Sequence, residues 1–238
     1  MNIKEISVIG AGTMGNGIAH VFAQSGYSVT MIDREQGPLD KALARIAKNM
    51  NRQINKGKLS EEDKENALQR ITTSTDIVQG VAKADVIIEV VSENMAVKEA
   101  VLSAVDAAAK ADAIIASNTS SISITKLASF TNRPERFIGM HFMNPVPVMK
   151  LIEVIRGYAT SQETMDTILA LSKAIGKVPV EANDYPGFVA NRILIPMINE
   201  AIYTLHEGVA GVEAIDTVMM LGMAHPMGPL HLADFIGL

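Results

Sequence analysis

The chain has 238 residues, of which 48% are hydrophobic and 20% are charged, and its formal net charge is −5. This size allows one large domain, or one domain plus a smaller one, with an apolar core. The acidic balance gives no reason to expect nucleic acid or a membrane surface as a partner. The sequence has no cysteine, which excludes disulfides, thiolate metal sites and cysteine nucleophiles. With no secretory signal and no apolar run of ~18 residues, we expect a cytoplasmic protein.

The first apolar run, Glu5 to Ile9, leads into a glycine-rich loop that reads Gly10-Ala11-Gly12-Thr13-Met14-Gly15. A helical pattern follows, and the next apolar run ends on Asp33. In the dinucleotide-binding fingerprint the first glycine permits a tight turn, the second admits a pyrophosphate, and the third packs helix on strand. A carboxylate at Asp33 suits ribose hydroxyls and repels a 2′-phosphate, so NAD is the predicted cofactor. Arg34 is a counter-signal that favours NADP.

Apolar runs alternate with helical stretches along the chain, which predicts a doubly wound, mostly parallel α/β sheet of the Rossmann type. The expected strands are Ile6–Ile9, Val29–Ile32, Arg70–Thr73, Val86–Val90, Ala113–Ala116, Phe137–Met140 and Leu151–Ile155. Between Asp33 and Arg70 lies a charged helical stretch that breaks at Gly57–Ser60, where Ser60 favours a new helix start. We expect a helical hairpin there, inserted after the second strand and projecting from the sheet.

The pattern changes after the segment Ala182–Gly187, which is typical of a linker. Helical patterns then run from Phe188 to about His206 and from Val212 to about Leu221. The predicted domains are residues 1–184, which bind the nucleotide, and residues 185–238, which form a small all-helical domain.

Two polar clusters follow predicted strands, at the sheet edge where open α/β folds bind ligands. The first is Ser117–Ser121, and the second is His141–Pro145. His141 is the candidate acid–base residue because imidazole titrates near neutral pH. Glu153 lies in an otherwise apolar strand, and since a buried carboxylate needs a partner we pair it with His141. The alternatives are a core histidine bonded to backbone groups and a glutamate on the wet face of an edge strand.

The remaining histidines predict no metal site. His20 is expected to pack within the first helix, and His206 to be solvated at a helix end. His225 and His231 are expected in a proline-containing loop, without a carboxylate pair at metal-ligand spacing.

Five cationic side chains share one face of the first hairpin helix, because they repeat every three or four residues. They are Lys41, Arg45, Lys48, Arg52 and Lys56. No acidic residue lies between Lys41 and Lys58. This stripe is either a solvated face or a docking strip for a polyanion such as the phosphorylated adenosine end of coenzyme A.

Several motifs together closely resemble the L-3-hydroxyacyl-CoA dehydrogenase family, and within it the bacterial 3-hydroxybutyryl-CoA dehydrogenases. They are Gly10–Gly15 with Asp33, Ser117–Ser121, Gly139–Pro147, Glu153, Asp184–Arg192 and His225–Pro229. The resemblance runs from end to end. It implies NAD-dependent, reversible oxidation of short-chain L-3-hydroxyacyl-CoA, as in fatty acid metabolism, with acyl-CoA as the substrate partner.

The resemblance also implies residue roles. His141 is then the catalytic base, Glu153 orients it, and Ser120 and Asn191 bind the substrate oxygen and align cofactor and acyl group. The implied cofactor contacts are Gly10, Gly12, Thr13, Met14, Gly15, Asp33, Glu93, Lys98, Ser120 and Asn144. Because the family receives coenzyme A at the hairpin, Lys48 and Lys56 are favoured as substrate contacts.

Family members typically continue beyond the last residues here, Phe235–Leu238. The helical domain is therefore expected to be truncated, and to serve dimerisation and substrate binding as a homodimer in full-length form. A rival enzyme is a dehydrogenase of a free hydroxy or sugar acid, of the gulonate type, against which the cationic stripe argues. A non-catalytic NAD-binding protein is the alternative from another class.

Overall fold

The chain divides into two compact units, one ending at Pro186 and the other running Gly187–Leu238. The structure is a computed structural model that describes residues 3–238. Along those residues, no helix is long and apolar enough to cross a membrane.

The first unit contains a single sheet, which has eight strands over the described residues. They are β1 (Glu5–Ile9), β2 (Ser28–Ile32), β3 (Ile71–Ser74), β4 (Val86–Glu89), β5 (Ile114–Ser117), β6 (Phe137–Phe142), β7 (Leu151–Arg156) and β8 (Val178–Asn183). Their order in space is β3-β2-β1-β4-β5-β6-β7-β8. The winding reverses between β1 and β4, which is the switch point where such sheets bind ligands. The seven predicted strands are present, and the predicted fold class is confirmed.

The far end of the sheet differs from the prediction. β6 and β7 run antiparallel, because residues 143–150 are too short a connection for the crossover that parallel strands need. β8 then pairs parallel to β7, and its last two residues begin the segment predicted as a linker, so that boundary was wrong. An edge strand with mostly exposed side chains, carrying Pro179, lacks the buried apolar run that predicts a strand.

Helices cover both faces of the sheet and enclose the main hydrophobic core. Those of the first unit are α1 (Thr13–Gln24), α2 (Gln36–Ile54), α3 (Glu61–Gln69), α4 (Ile77–Val81), α5 (Met95–Ala108), α6 (Ile124–Ala128) and α7 (Gln162–Ala174), with a short 3₁₀ helix at Pro134–Arg136. The strands between them are buried almost throughout, as expected for a sheet covered on both faces.

The predicted hairpin is formed by α2 and α3. Gly57 adopts a positive φ of 66° between them, and the Ser60 hydroxyl accepts a hydrogen bond from the Asp63 amide at 3.0 Å, which caps α3. Apolar side chains along one face of α2 are fully buried or nearly so in the main core. They are Leu39, Ala42, Ile46 and Met50. The hairpin therefore packs against the core instead of projecting from the sheet, because this apolar stripe lies opposite the cationic one.

The second unit is helical. Its elements are α8 (Ala190–His206), α9 (Val212–Thr217), which continues as a π-helical turn at Val218–Gly222, and α10 (Pro229–Ile236). The Asp216 carboxylate accepts hydrogen bonds from the amides of Leu230 and His231 and so caps α10. The prediction that His231 lies in a loop is wrong. Pro229 starts a helix, where its missing N–H is no loss.

Candidate active site

The glycine-rich loop between β1 and α1 has the geometry that its sequence predicts. Gly10 has a φ of +109°, and a Cβ on it would lie 2.6 Å from the Val90 carbonyl oxygen. A Cβ on Gly15 would lie 1.7 Å from the Gly10 carbonyl oxygen, so α1 approaches β1 only because both residues are glycines. A Cβ on Gly12 would meet nothing within 4 Å. That open space is where a pyrophosphate would approach the backbone.

The start of α1 fits an anionic group. Its N-cap residue, Gly12, supplies no side-chain hydrogen bond to the first turn, so the helix N-terminus presents amide groups and the positive end of its dipole. Asp33, at the end of β2, accepts hydrogen bonds from the amides of Ala11 and Arg34, each at 2.8 Å. The carboxylate is thereby fixed beside the loop, where it suits the ribose of a dinucleotide.

His141 and Glu153 lie directly opposite each other in the antiparallel register of β6 and β7. His141 Nδ1 is 2.8 Å from Glu153 Oε2, and the two residues are 7% and 2% exposed. An ionised carboxylate can only accept, so Nδ1 carries a proton, and in the neutral form of the ring the lone pair lies on Nε2. The contact predicted from the sequence is present.

Ser120 lies in the loop after β5, and acidic side chains hold this loop at both ends. Upstream, Glu93 accepts hydrogen bonds from the Thr119 hydroxyl at 2.9 Å and the Ser120 amide at 2.8 Å. Downstream, Asp184 accepts from the Ser123 hydroxyl at 2.7 Å and from the Thr125 amide at 2.8 Å. The loop geometry is therefore fixed by two carboxylates that lie far away in sequence.

The pKa of Asp184 reflects those bonds. Burial by itself raises the pKa of this carboxyl, but the hydrogen bonds from Thr125, Ser123 and Ile124 outweigh burial and hold it below its ordinary value. Asp184 therefore stays ionised at neutral pH and continues to accept the hydrogen bonds that hold the loop. Sequence reasoning gave this residue no separate role.

A buried ion pair lies behind the same loop. Lys98, on α5, places its ammonium 2.7 and 2.9 Å from the two carboxylate oxygens of Glu89 and 3.8 Å from Glu93. Glu89 also accepts from the Ser117 hydroxyl at 2.7 Å. Lys98, predicted as a cofactor contact, is 1% exposed. Its buried ammonium lies between the carboxylates of Glu89 and Glu93. Glu89 was missed, although an acid in an otherwise apolar strand is the signal that identified Glu153.

The remaining predicted residues lie in different surroundings. Asn144 follows β6 and is exposed. The nearby Asn118 ties the end of that strand to the loop after β5, because its Oδ1 accepts from the Phe142 amide at 2.9 Å. Asn191 lies in the first turn of α8, in the second unit. No group of three or more metal-ligating residues was found within the described part of the chain.

A cavity of about 800 Å³ lies in the first unit, beside α1 and α2. Several of the side chains that line it are cationic. They belong to Arg52, Lys56, Lys58, Lys150 and Lys177. The described lining includes no carboxylate. Two members of the predicted stripe, Arg52 and Lys56, therefore face this cavity, whereas Lys48 is exposed outside its lining.

Comparison with known proteins identifies this arrangement. Residues 5–185 match the family model of the 3-hydroxyacyl-CoA dehydrogenase NAD binding domain, and residues 187–238 match the 3-hydroxyacyl-CoA dehydrogenase C-terminal domain. The chain belongs to the 3-hydroxyacyl-CoA dehydrogenase family.

Individual family members are similar over nearly the whole chain. A probable 3-hydroxybutyryl-CoA dehydrogenase of Bacillus subtilis (strain 168) is 53% identical over 238 residues, covering 100% of this chain and 83% of that protein. The human mitochondrial hydroxyacyl-coenzyme A dehydrogenase is 44% identical over 242 residues, covering 99% and 77%. The crystal structure of (S)-3-hydroxybutyryl-CoA dehydrogenase PaaH1 from Ralstonia eutropha matches with a TM-score of 0.97 and 51% identity, covering 99% and 83%.

This membership confirms the predicted family, cofactor and enzyme class. The 3-hydroxyacyl-CoA dehydrogenase family member described here has an NAD-binding first unit and is an oxidoreductase that acts on a CH–OH group.

Proposed function

We propose that this chain catalyses the reversible, NAD-dependent oxidation of short-chain L-3-hydroxyacyl-CoA, with 3-hydroxybutyryl-CoA and acetoacetyl-CoA as the pair. The observation that carries the proposal is the buried contact between His141 Nδ1 and Glu153 Oε2 at 2.8 Å. A neutral imidazole oriented by a carboxylate, on the sheet that binds NAD, is suited to moving the proton of an alcohol.

His141 moves that proton through Nε2, the ring nitrogen opposite Glu153. In oxidation Nε2 accepts the proton of the C3 hydroxyl, and in reduction it returns the proton to the 3-oxo oxygen. The imidazolium that forms lies next to the Glu153 carboxylate, in a site with little water to screen the attraction. NAD, when bound, would supply the acceptor for the hydride that leaves C3.

The residues around the glycine-rich loop hold the cofactor in this proposal. The amides of Gly12, Thr13 and Met14 would bind the pyrophosphate at the start of α1, and Asp33 would accept hydrogen bonds from the ribose hydroxyls. Asn144 follows the strand of His141 as a further contact. The burial of Lys98 against Glu89 supports an indirect role, in which it fixes the neighbouring loop.

Ser120 and Asn191 bind the substrate oxygen in the proposed reaction. The support for Ser120 is its loop, which Glu93 and Asp184 hold from both ends. The support for Asn191 is the motif Asp184–Arg192, which the chain shares with the family. Hydrogen bonds from both residues orient the reacting carbon, which lowers the entropic cost of reaching the transition state.

The cation-lined cavity supports coenzyme A as the carrier of the acyl group. The phosphorylated adenosine end of coenzyme A carries several negative charges, and the described cavity wall is cationic without a balancing carboxylate. Lys56 is the preferred contact, because it faces the cavity and is exposed just beyond the end of α2, outside the helix on which it was predicted. A free hydroxy or sugar acid carries one carboxylate, which is too little negative charge to pair with so many cations.

A homodimer and a cytoplasmic location complete the proposal. The support for the dimer is the number of large apolar side chains exposed on the helical unit. They include Ile193, Ile202, Leu205, Val209, Leu221 and Phe235. Apolar surface of this extent is typical of surfaces that bind another protein.

The decisive experiment follows NADH absorbance with acetoacetyl-CoA and, separately, with free acetoacetate. We expect turnover with the CoA ester only, loss of turnover in His141→Ala with NADH binding retained, and normal turnover in the matched control His206→Ala, whose histidine is exposed. Turnover in His141→Ala would refute the acid–base role. Equal rates with free acetoacetate would favour the free-acid alternative, and NADH binding without any turnover would favour the non-catalytic one.

A further inference from the structure

Lys177 is a buried lysine between the end of α7 and the start of β8. It is 9% exposed, and no carboxylate of the described residues forms an ion pair with it. Burial lowers the pKa of its ammonium below the ordinary value. Since burying an unpaired charge is unfavourable, the position of Lys177 requires strong hydrogen bonds in compensation.

Those hydrogen bonds go to the connection between β6 and β7. The ammonium donates to the carbonyl oxygens of Val146 and Met149, the latter at 2.7 Å. The amides of Val148 and Met149 both bond to the Pro145 carbonyl, so this connection forms one helical turn. Lys177 therefore satisfies two carbonyl groups of an isolated turn that lacks a following helix.

The opposite side of the same turn is held by close packing. Val146 is 2% exposed and belongs to the main core. It lies against Gly17 of α1, where a Cβ would come within 2.9 Å of the Val146 Cβ. The connection is thus clamped between α1, which starts at the cofactor loop, and the ammonium of Lys177.

The clamped connection joins the two strands that carry the acid–base pair. His141 lies just before residues 143–150, and Glu153 lies just after them. The length and position of this connection decide which residues of β6 and β7 face each other, and hence the alignment of His141 with Glu153.

We infer that Lys177 is a positioning residue for the proposed reaction: its ammonium fixes the β6–β7 connection and so aligns the His141–Glu153 pair with the substrate. The inference rests on the proposed function. A displacement of about 1 Å in a catalytic group lowers a rate by about 100-fold. The effect of Lys177 is therefore on kcat, and it does not depend on which thioester carries the acyl group.

The test compares Lys177→Met with wild type on acetoacetyl-CoA and on acetoacetyl-N-acetylcysteamine, a thioester without the nucleotide. We expect kcat to fall about 10- to 100-fold with both substrates, with NADH affinity retained. Lys150→Met is the comparator, because Lys150 faces the same cavity. It is expected to raise KM for the CoA ester alone. Lys177→Gln keeps an N–H donor and should recover part of the lost kcat.

The outcomes separate the possible roles of Lys177. A kcat within twofold of wild type in folded Lys177→Met, with only a lower Tm, would show a purely structural role and overturn the inference. A higher KM for the CoA ester alone would show a phosphate contact and also overturn it. If Lys177→Met does not fold, the same comparison on Lys177→Gln decides. A wild type without turnover on either thioester contradicts the proposed function instead.

Discussion

Replacing Glu153 by Gln tests the acid–base pair most directly, because it removes one charge and keeps the shape of the side chain. Two unit charges 2.8 Å apart attract each other by about 6 kcal/mol at an effective dielectric constant of about 20. About half of the imidazolium charge has developed in a transition state with partial proton transfer, which gives about 3 kcal/mol. At 1.36 kcal/mol for each factor of ten, kcat should fall by about 10²-fold.

A second effect of Glu153→Gln acts in the same direction. The amide of a glutamine can donate to Nδ1 of His141, which favours the tautomer with the proton on Nε2. That tautomer cannot accept the hydroxyl proton. The loss should therefore appear in the oxidation direction at high pH as well as at neutral pH.

The assay for Glu153→Gln is kcat at saturating acetoacetyl-CoA and NADH, followed by absorbance, together with the Kd of NADH from fluorescence. The matched control is Glu181→Gln, which removes an exposed carboxylate paired with Arg156 at 2.7 Å on the neighbouring strand β8. Its kcat should stay within twofold, since exposed ion pairs contribute little. A folded Glu153→Gln enzyme with kcat within threefold of wild type would refute the reasoning.

Two further predictions concern the cationic cavity and the buried histidine of α1. Lys56→Met should raise KM for acetoacetyl-CoA at low salt, with a smaller effect at high salt. Lys83→Met, which removes an exposed lysine outside the cavity lining, should not; equal shifts would contradict the assignment. Burial lowers the pKa of His20, whereas the hydrogen bond that its ring N–H donates to Gln24 raises it, and repulsion from Lys177 lowers it further. The unfolded chain therefore binds more protons below the ordinary value of 6.5, and stability is lost as pH falls. Chemical denaturation at pH 7.5 and 5.5 should show a smaller loss in His20→Gln, and an unchanged loss would refute it.

Local patterns predicted the parts of the fold that local physics decides. The three glycines of the cofactor loop were identified from their spacing, and the structure shows a steric requirement at Gly10 and Gly15 and open space at Gly12. The strands with two buried faces were found because they are continuous apolar runs. Ser60 marked the start of α3 because a hydroxyl at that place caps the helix.

The far edge of the sheet could not be found in the same way. β8 has mostly exposed residues and a proline, so it lacks the buried apolar run that marks a strand. Its place depends on pairing with β7, a contact between distant parts of the chain. The packing of the hairpin was missed for a related reason. The prediction was based on the cationic residues of the hairpin. The position of the hairpin depends instead on the burial of Leu39 and Ile46 in the core.

In the candidate site, too, the sequence shows the type of each residue but not the partner that it meets in the fold. Glu89 and Glu153 give one signal in the sequence, an acid in an apolar strand, and both are buried. Glu89 meets Lys98, whose permanent positive charge neutralises it in every step and makes a structural pair. Glu153 meets His141, whose ring gains a positive charge only when it accepts a proton, so in the proposed reaction the carboxylate would attract a charge that forms during proton transfer. The antiparallel register of β6 and β7 puts Glu153 opposite the histidine, and this difference in partner makes one of two buried acids part of the proposed acid–base pair.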